Sequence, residues 1–383
     1  MNFFRIAILL PVLFSVGCSS LPTVPVHSEY LNESVNTHVD SEVASYYLEH
    51  YLKGEHSQPA FDQSINELYQ SQNNKLPSRA NLKEISQKFS PDFAALFFVE
   101  HLMKDKENQR LLELFQSILN SGKENLSAPL VNSADYQVVF VPGWNYIDNG
   151  YLTGSDLALP RKIVSDLGIQ NLLVKTPSNG SVDASAEVIS KIILQQSTIN
   201  KKIIMVGASA AGPAIHLTLG EKLSHQQSAN VVAWINLGGI LKGSPLVDHF
   251  QKWPQKAAMN MVAWFKGWDN DDIVSMSTGP SIERFNRLKL SPSLHTVNYL
   301  ALGLSGNLSD LSETKYPFIV DEGPNDGLTL LPDVIAPNSS TLVAVNSDHY
   351  FGQDKRINDK IVALLKSVIF ILEHTDPAYA ESS

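Results

Sequence analysis

Cysteine is almost absent: the 383 residues contain one, Cys18. A disulfide within the chain is therefore excluded, and so is a zinc site built from several thiolates. Basic residues are in deficit, 29 Lys and Arg against 39 Asp and Glu, a formal net charge of −10. No stretch gathers Lys and Arg into a stripe, so phosphate backbones would be repelled and nucleic acid is not an expected partner. Long apolar runs are missing too. The run near the start, Ile6 to Phe14, is too short to span a bilayer as a stable helix. With 43% hydrophobic and 18% charged residues there is ample material for a core, and the length suggests one large domain with an accessory part.

The chain is organised around Lys201 to Gly212. The apolar run Ile203-Ile204-Met205-Val206 leads directly into small residues around one serine, Gly207-Ala208-Ser209-Ala210-Ala211, and a helix-like segment follows from Pro213 to Leu223. That pattern reads as a buried strand, a sharp turn carrying Ser209, and a helix. Small residues are needed on both sides of such a serine, because strand and helix nearly touch there and the serine backbone is strained. The alternative is a tight strand-to-helix packing turn with no chemistry.

Residues 1–17 read as a signal peptide: one charge, Arg5, then the apolar run, then Ser15-Val16-Gly17 before Cys18. Cysteine after glycine at the end of such a segment resembles the bacterial lipobox, although Ser15 stands where that pattern prefers Leu. The resemblance implies lipid modification of Cys18, and Ser19 after it implies the outer membrane. An ordinary secreted protein is the alternative. Residues 18–40, with Pro22, Pro25 and many small polar residues, are expected to be a flexible lipidated tether.

Residues 41–125 carry a helical pattern and no strand pattern. Val43, Tyr46, Tyr47, Leu48 and Tyr51 recur at helical spacing, as do Phe93 to Leu102 and Leu111 to Leu119. Ser90-Pro91 is a start signal and Ser121-Gly122 a stop. Four or five helices are expected, forming a small subdomain whose aromatic faces are core.

From residue 134 the character changes. Strands are expected at Tyr136–Val141, Asn171–Lys175, Ile203–Val206, Val231–Leu237, Thr296–Leu302 and Leu342–Val345, and Phe318–Val320 is a candidate for another. Helical segments alternate with the first of them, Leu157–Leu167 and Asp183–Gln196, and a last helix is expected over Asn358–Glu373. Such alternation implies a parallel sheet with helices on both faces. Residues 246–292 lack strands and contain Trp253, Met259, Met261, Trp264, Phe265 and Trp268. They read as a cap whose Trp and Met either line a pocket or pack the cap down. Asp269, Asp271 and Asp272 lack the Gly and terminal Glu of a calcium loop and are read as helix capping. Residues 376–383 are expected as a tail.

Three chemistry-bearing residues each follow a strand: Ser209, Asp326 in Asn325-Asp326-Gly327-Leu328, and His349 after Asp348. A serine needs a base to take its proton, and the base needs a partner to hold its tautomer. In this order, and with Pro142-Gly143-Trp144 after the first strand, the chain resembles the α/β-hydrolase superfamily, specifically its serine esterases and lipases. Gly243-Ser244 and Asp248 after a glycine-rich turn resemble bacterial lipases, but Gly239-Ile240 stands where those usually have Pro-His.

The resemblance implies a mostly parallel α/β-hydrolase domain over 134–375, a catalytic Ser209, His349 and Asp326, and an oxyanion hole from the N–H groups of Ala210 and Trp144. Asp321 is the rival for the acid; Asp348 would face away. His216, within the nucleophile's helix, His249 in the cap and His295 before a strand are read as structural. The implied activity is hydrolysis of carboxylic, acyl esters through an acyl-enzyme, with no cofactor and no metal. The substrate is a small-molecule or lipid ester, and the lipidated N-terminus contacts the membrane. A non-catalytic binding protein on the same scaffold and an acyltransferase remain open.

Overall fold

The computed structural model describes residues 24–73, 75–130 and 132–374. The signal peptide, Cys18 and the tail over 376–383 lie outside them.

Strands β3 (Tyr136–Val141), β4 (Gln170–Leu173), β5 (Lys202–Ala208), β6 (Val231–Leu237), β7 (His295–Ala301) and β8 (Ser339–Ala344) form one parallel sheet in the order β4-β3-β5-β6-β7-β8. The order reverses at β3, so β5 and its following turn stand beside a crevice at the carboxyl edge, where ligands bind in open parallel sheets. The central strands are apolar runs because both their faces are covered. Val138 and Phe140 of β3, with Ile204 and Val206 of β5, enter one core layer. Val139 and Val141, with Ile203 and Met205, enter the other.

The helices named in chain order are α1 (Glu42–Glu49), α2 (Pro59–Gln72), α3 (Arg79–Lys88), α4 (Pro91–Leu102), α5 (Lys106–Leu119) and α6 (Lys123–Ser127) before the sheet. Within it come α7 (Tyr146–Thr153), α8 (Ala158–Asp166), α9 (Val182–Gln196) and α10 (Ala211–Leu217). The cap is α11 (Pro245–Phe250), α12 (Gln255–Lys266), α13 (Asn270–Val274) and α14 (Thr278–Arg287), followed later by α15 (Asp310–Glu313) and α16 (Ile357–His374). The four cap helices lie between Pro245 and Arg287, with no strand among them.

Three expectations need correction. First, residues 24–39 are not a loose tether. They form an antiparallel hairpin, β1 (Val24–Tyr30) with β2 (Glu33–Val39), whose Val26, Val35 and Val39 are buried. The alternation is present among polar neighbours: in β2, Val35, Thr37 and Val39 face in while Asn36 and His38 between them face out. Second, the N-terminal helices do not enclose a core of their own. Phe93, Phe97 and Val99 of α4 share one cluster with Leu300, Leu302, Leu331, Val343 and Val345 at the β7–β8 end of the sheet. Helix α5 lies on α16 and β8 and belongs to the sheet's own layer. Third, Phe318–Val320 is not a strand; short 3-10 turns, Tyr316–Phe318 and Val320–Glu322, occupy it because Pro317 favours a turn.

The hairpin is fastened by charge as well as packing. The Lys360 ammonium of α16 is buried and meets Glu33 of β2 at 2.5 Å, with Asp354 as a second partner. At its other end the Asp92 carboxylate accepts from the N–H of Asp40 (2.8 Å) and of Ser305 (2.8 Å). It thereby ties hairpin, α4 and the loop after β7 at one point.

Candidate active site

Strand β5 ends at Ala208, and the chain reverses through Ser209 into α10. Ser209 has φ +52°, a left-handed conformation that costs a non-glycine residue about 1–3 kcal/mol unless the surroundings hold it. They do: its N–H donates to Leu237 O (3.0 Å), and its carbonyl accepts from Gly212 N (3.0 Å) and Ile240 N (3.2 Å). The turn aims the side chain out of the sheet edge.

The requirement for small residues is met in a particular way. A Cβ on Gly207 would lie 3.2 Å from the Ala211 Cβ, so the methyl of Ala211 is accepted because Gly207 has none. A close approach to the neighbouring backbone falls one residue later. A Cβ on Gly212 would come within 2.8 Å of Gly239 Cα and of Asn236 Oδ1, which leaves glycine there.

His349 lies in the turn after β8, which runs to Ala344. Its Nε2 is 2.9 Å from Ser209 Oγ and its Nδ1 is 2.8 Å from Asp326 Oδ2. The backbone sets the same register, His349 N donating to Asp326 O (2.9 Å). Asp326 is fully buried, and its second oxygen accepts from Leu328 N (3.0 Å) and Thr329 N (2.9 Å). These two N–H groups satisfy a carboxylate that burial would otherwise destabilise.

Each residue of Asn325-Asp326-Gly327-Leu328 has a task there. Asn325 Oδ1 accepts from Gly327 N (2.9 Å), closing a local turn. Gly327 has φ +98°, and a Cβ on it would meet Ser312 at 2.5 Å. The rival Asp321 is exposed on the Val320–Glu322 turn, away from the imidazole's partners. Asp348 is turned away as expected: it accepts from Ser309 N (2.7 Å) and Tyr350 N (2.9 Å), so it braces the loop and not the imidazole.

The loop after β3 runs alongside Ser209. A Cβ on Gly143 would stand 3.7 Å from Ser209 Cβ and 3.4 Å from Ala208 O. Neighbouring amides are spoken for, Gly143 N by Ser155 O and Asn145 N by Ser178 O. Among the described residues the N–H of Trp144 and that of Ala210 make no hydrogen bond, which leaves both available beside the serine.

The lipase-like strip has a supporting part. Gly243 O accepts from Thr329 Oγ1 (2.8 Å), and Ser244 Oγ bonds Leu328 O, so the strip holds the loop of Asp326. Asp248 receives Thr278 Oγ1 (2.6 Å) and Thr278 N (3.0 Å), tying α11 to α14 within the cap. His216 is buried against Trp234 and Phe285, and burial, reinforced by Arg284, pushes its pKa down to about 4. It is a neutral core residue. His249 packs on Phe250 of the cap and on Phe318 of the turn after α15, and His295 starts β7. Asp269 accepts from Asp271 N (2.9 Å) as the cap of α13.

Ser209 and His349 open into a cavity of about 1130 Å³. Its walls are mostly apolar: Leu152, Leu157 and Leu159 on one side, Val247 and Met259 of the cap on another, and Ile361 and Leu364 of α16 below. Helix α7 supplies part of this wall and had no clear trace in the sequence, since Gly150 and two polar residues interrupt its apolar pattern. The cap contributes Met259 and Trp268 to the cavity, whereas Trp253, Trp264 and Phe265 point to solvent.

No family model matches the chain, and no curated protein matches it. Solved structures do. A metagenomic carboxyl esterase superposes with a TM-score of 0.51 at 16% identity, covering 65% of this chain and 78% of that one. The mature lipase from Bacillus licheniformis gives 0.47 at 17% identity, over 64% and 93% of the two chains. EstA from Clostridium botulinum gives 0.41 at 15%, over 68% and 97%. At these identities the likeness speaks to architecture. The six-stranded parallel sheet, its two helical layers and the helical cap make this fold an α/β-hydrolase.

Proposed function

We propose that the protein is a serine carboxylesterase, hydrolysing acyl esters through an acyl-enzyme. The observation that carries this reading is the relay Asp326–His349–Ser209, bonded at 2.8 and 2.9 Å on a strained serine turn that faces an open apolar cavity. A non-catalytic scaffold would have no need to keep the imidazole on the serine, or the cavity clear above it.

In the proposed reaction His349 Nε2 takes the Ser209 proton as Oγ attacks the ester carbonyl. Asp326 holds the Nδ1–H tautomer and stabilises the imidazolium. The oxyanion is received by the Ala210 and Trp144 N–H groups, and losing one such donor typically costs about 10²–10³ in rate. His349 returns the proton to the leaving alcohol, and water repeats the sequence to free the acid. The cavity suits an acyl chain because its walls are aliphatic.

Ser209→Ala is expected to lower turnover of p-nitrophenyl esters by about 10⁴-fold or more. It should also abolish labelling by a fluorophosphonate. Folded wild-type protein that takes no label would refute the reading. Product analysis in the presence of an alcohol acceptor separates hydrolysis from acyl transfer.

We also propose that Cys18 is acylated and that the mature protein is held at the bacterial outer membrane. Support comes from the Gly17-Cys18-Ser19 sequence alone. Metabolic incorporation of alkyne-palmitate, lost in Cys18→Ser, is the test.

A further inference from the structure

Helix α12 is apolar on the wrong side. Its contact with the body is a narrow seam, half-buried Gln255 and Met259 and buried Ala263, spaced four apart. The rest faces solvent, including Met261, Val262, Trp264 (76% exposed) and Phe265 (74%), with Trp253 (85%) just before the helix. An ordinary surface helix presents its polar residues outward.

Charge on this segment is equally uneven. The chain carries a net charge of −10, yet His249 to Trp268 contains no Asp or Glu and three lysines, Lys252, Lys256 and Lys266, all exposed. Aromatics beside lysines, with no acid among them, are the composition of a helix that lies in a lipid headgroup region.

The opposite rim of the cavity mouth repeats the apolar part. Ile147 (67% exposed), Tyr151 (78%) and Leu152 (60%) project from α7. The two rims meet where Trp144 and Trp268 stack edge-on with centroids 4.7 Å apart. Asp148 and Asp156 stand on the α7 side, and Asp269, Asp271 and Asp272 follow on α13 and its cap, so the cationic character is confined to the segment from Lys252 to Lys266.

We infer that α12 with the exposed flank of α7 forms a docking face for an anionic lipid bilayer, seating the cavity mouth on the membrane. The occupant is a lipid surface because the patch joins lysines to exposed aromatics and borders the large apolar cavity onto which Ser209 opens. Docking does not depend on Ser209 being a nucleophile. Delivery of lipid-borne ester to Ser209 does, and that part rests on the proposed function.

The test uses full-length Ser209→Ala protein mixed with phosphatidylglycerol–phosphatidylcholine vesicles, with and without bromine on the acyl chains. Trp253 and Trp264 are the exposed tryptophans; Trp234 is buried, and Trp144 and Trp268 are half-buried. The expected result is a loss of roughly a third of the emission in brominated vesicles, as for side chains inserted at the headgroup boundary. Quenching should disappear in Trp253→Phe/Trp264→Phe, and apparent partition should weaken about ten-fold or more in Lys252→Glu/Lys256→Glu/Lys266→Glu. Equal emission in both vesicle types, while the protein sediments with them through its N-terminal segment, would overturn the inference. So would self-association in vesicle-free buffer that Trp264→Ser/Phe265→Ser abolishes, since a second copy would then be the occupant. Quenching without fluorophosphonate labelling of wild type would leave the docking face standing and remove the esterase reading.

Discussion

Helices α4 and α12 have the same length and a similar supply of large apolar side chains, and they have opposite fates. In α4 nearly every residue from Asp92 to Leu102 is buried, because the β1–β2 hairpin, α1, α3 and the 300–304 segment close around it. In α12 only Ala263 is buried, and Trp264 and Phe265 stand in solvent. Composition alone does not predict this difference: the α4 segment reads as core, and the α12 segment as part of a cap whose Trp and Met either line a pocket or pack the cap down. What separates them is supply of partners: α4 is surrounded, whereas α12 bridges the edge of a cavity and has the body on one narrow seam. Apolar surface left uncovered beside a site is a feature to be explained by what it meets.

The comparison can be broken by mutation. The largest effect is expected in α4. Phe97→Ala removes a fully buried ring and should cost about 3–5 kcal/mol of unfolding free energy, measured by denaturant titration. A loss under about 1 kcal/mol would mean that the N-terminal helices are not continuous with the sheet's core.

A second, smaller effect comes from acid groups that only the α4 side possesses. Burial and then the neighbouring Asp40 push the Asp92 carboxyl up to about 7, and burial raises Asp40 as well. A carboxyl whose folded pKa is raised binds more protons when folded. Its stabilisation is therefore present below pH 4 and is lost as pH rises through about 7, by an amount on the order of 1 kcal/mol or more. Asp333, raised to about 6 by burial, adds the same sign. Unfolding free energy measured between pH 5 and 8 should fall in wild type and flatten in Asp92→Asn. A rise with pH over that window would reverse the assignment.

The smallest effect is expected in α12. Phe265→Ser should change stability by within about 0.5 kcal/mol, since no buried surface is lost. A Tm shift comparable to that of Phe97→Ala would show that α12 is core after all, and the contrast between the two helices would collapse.

Much of the site was legible because its chemistry is local. A strand, a turn of small residues and a serine lie within one short stretch, and Asn325-Asp326-Gly327-Leu328 announces its own turn. The Asn-Asp-Gly-Leu context favours Asp326 over its rival Asp321 on sequence, without excluding the rival. Both sit in one polar loop, and the choice depends on which carboxylate the fold buries under His349.

The hairpin over 24–39 was missed for a related reason. Its alternation is short and mixed with polar residues, and Pro25 argues for a loop, whereas its burial comes from α1 just after it together with α4 and the 300–305 segment, which are distant in sequence. The candidate strand at 318–320 failed in the opposite sense: three apolar residues suggested a strand where no neighbouring strand is available and Pro317 turns the chain.

The sequence by itself determined the class of the fold, the succession of the parallel-sheet strands along the chain and three residues with complementary chemistry, because periodicity, turn residues and spacing are properties of neighbouring positions. Tertiary structure alone decided how the favoured Asp326 is buried against His349, that residues 24–39 are part of the body, and that one aromatic helix is interior while another is displayed. Those outcomes depend on desolvation and contact between segments far apart along the chain, and burial is a property of the assembled molecule.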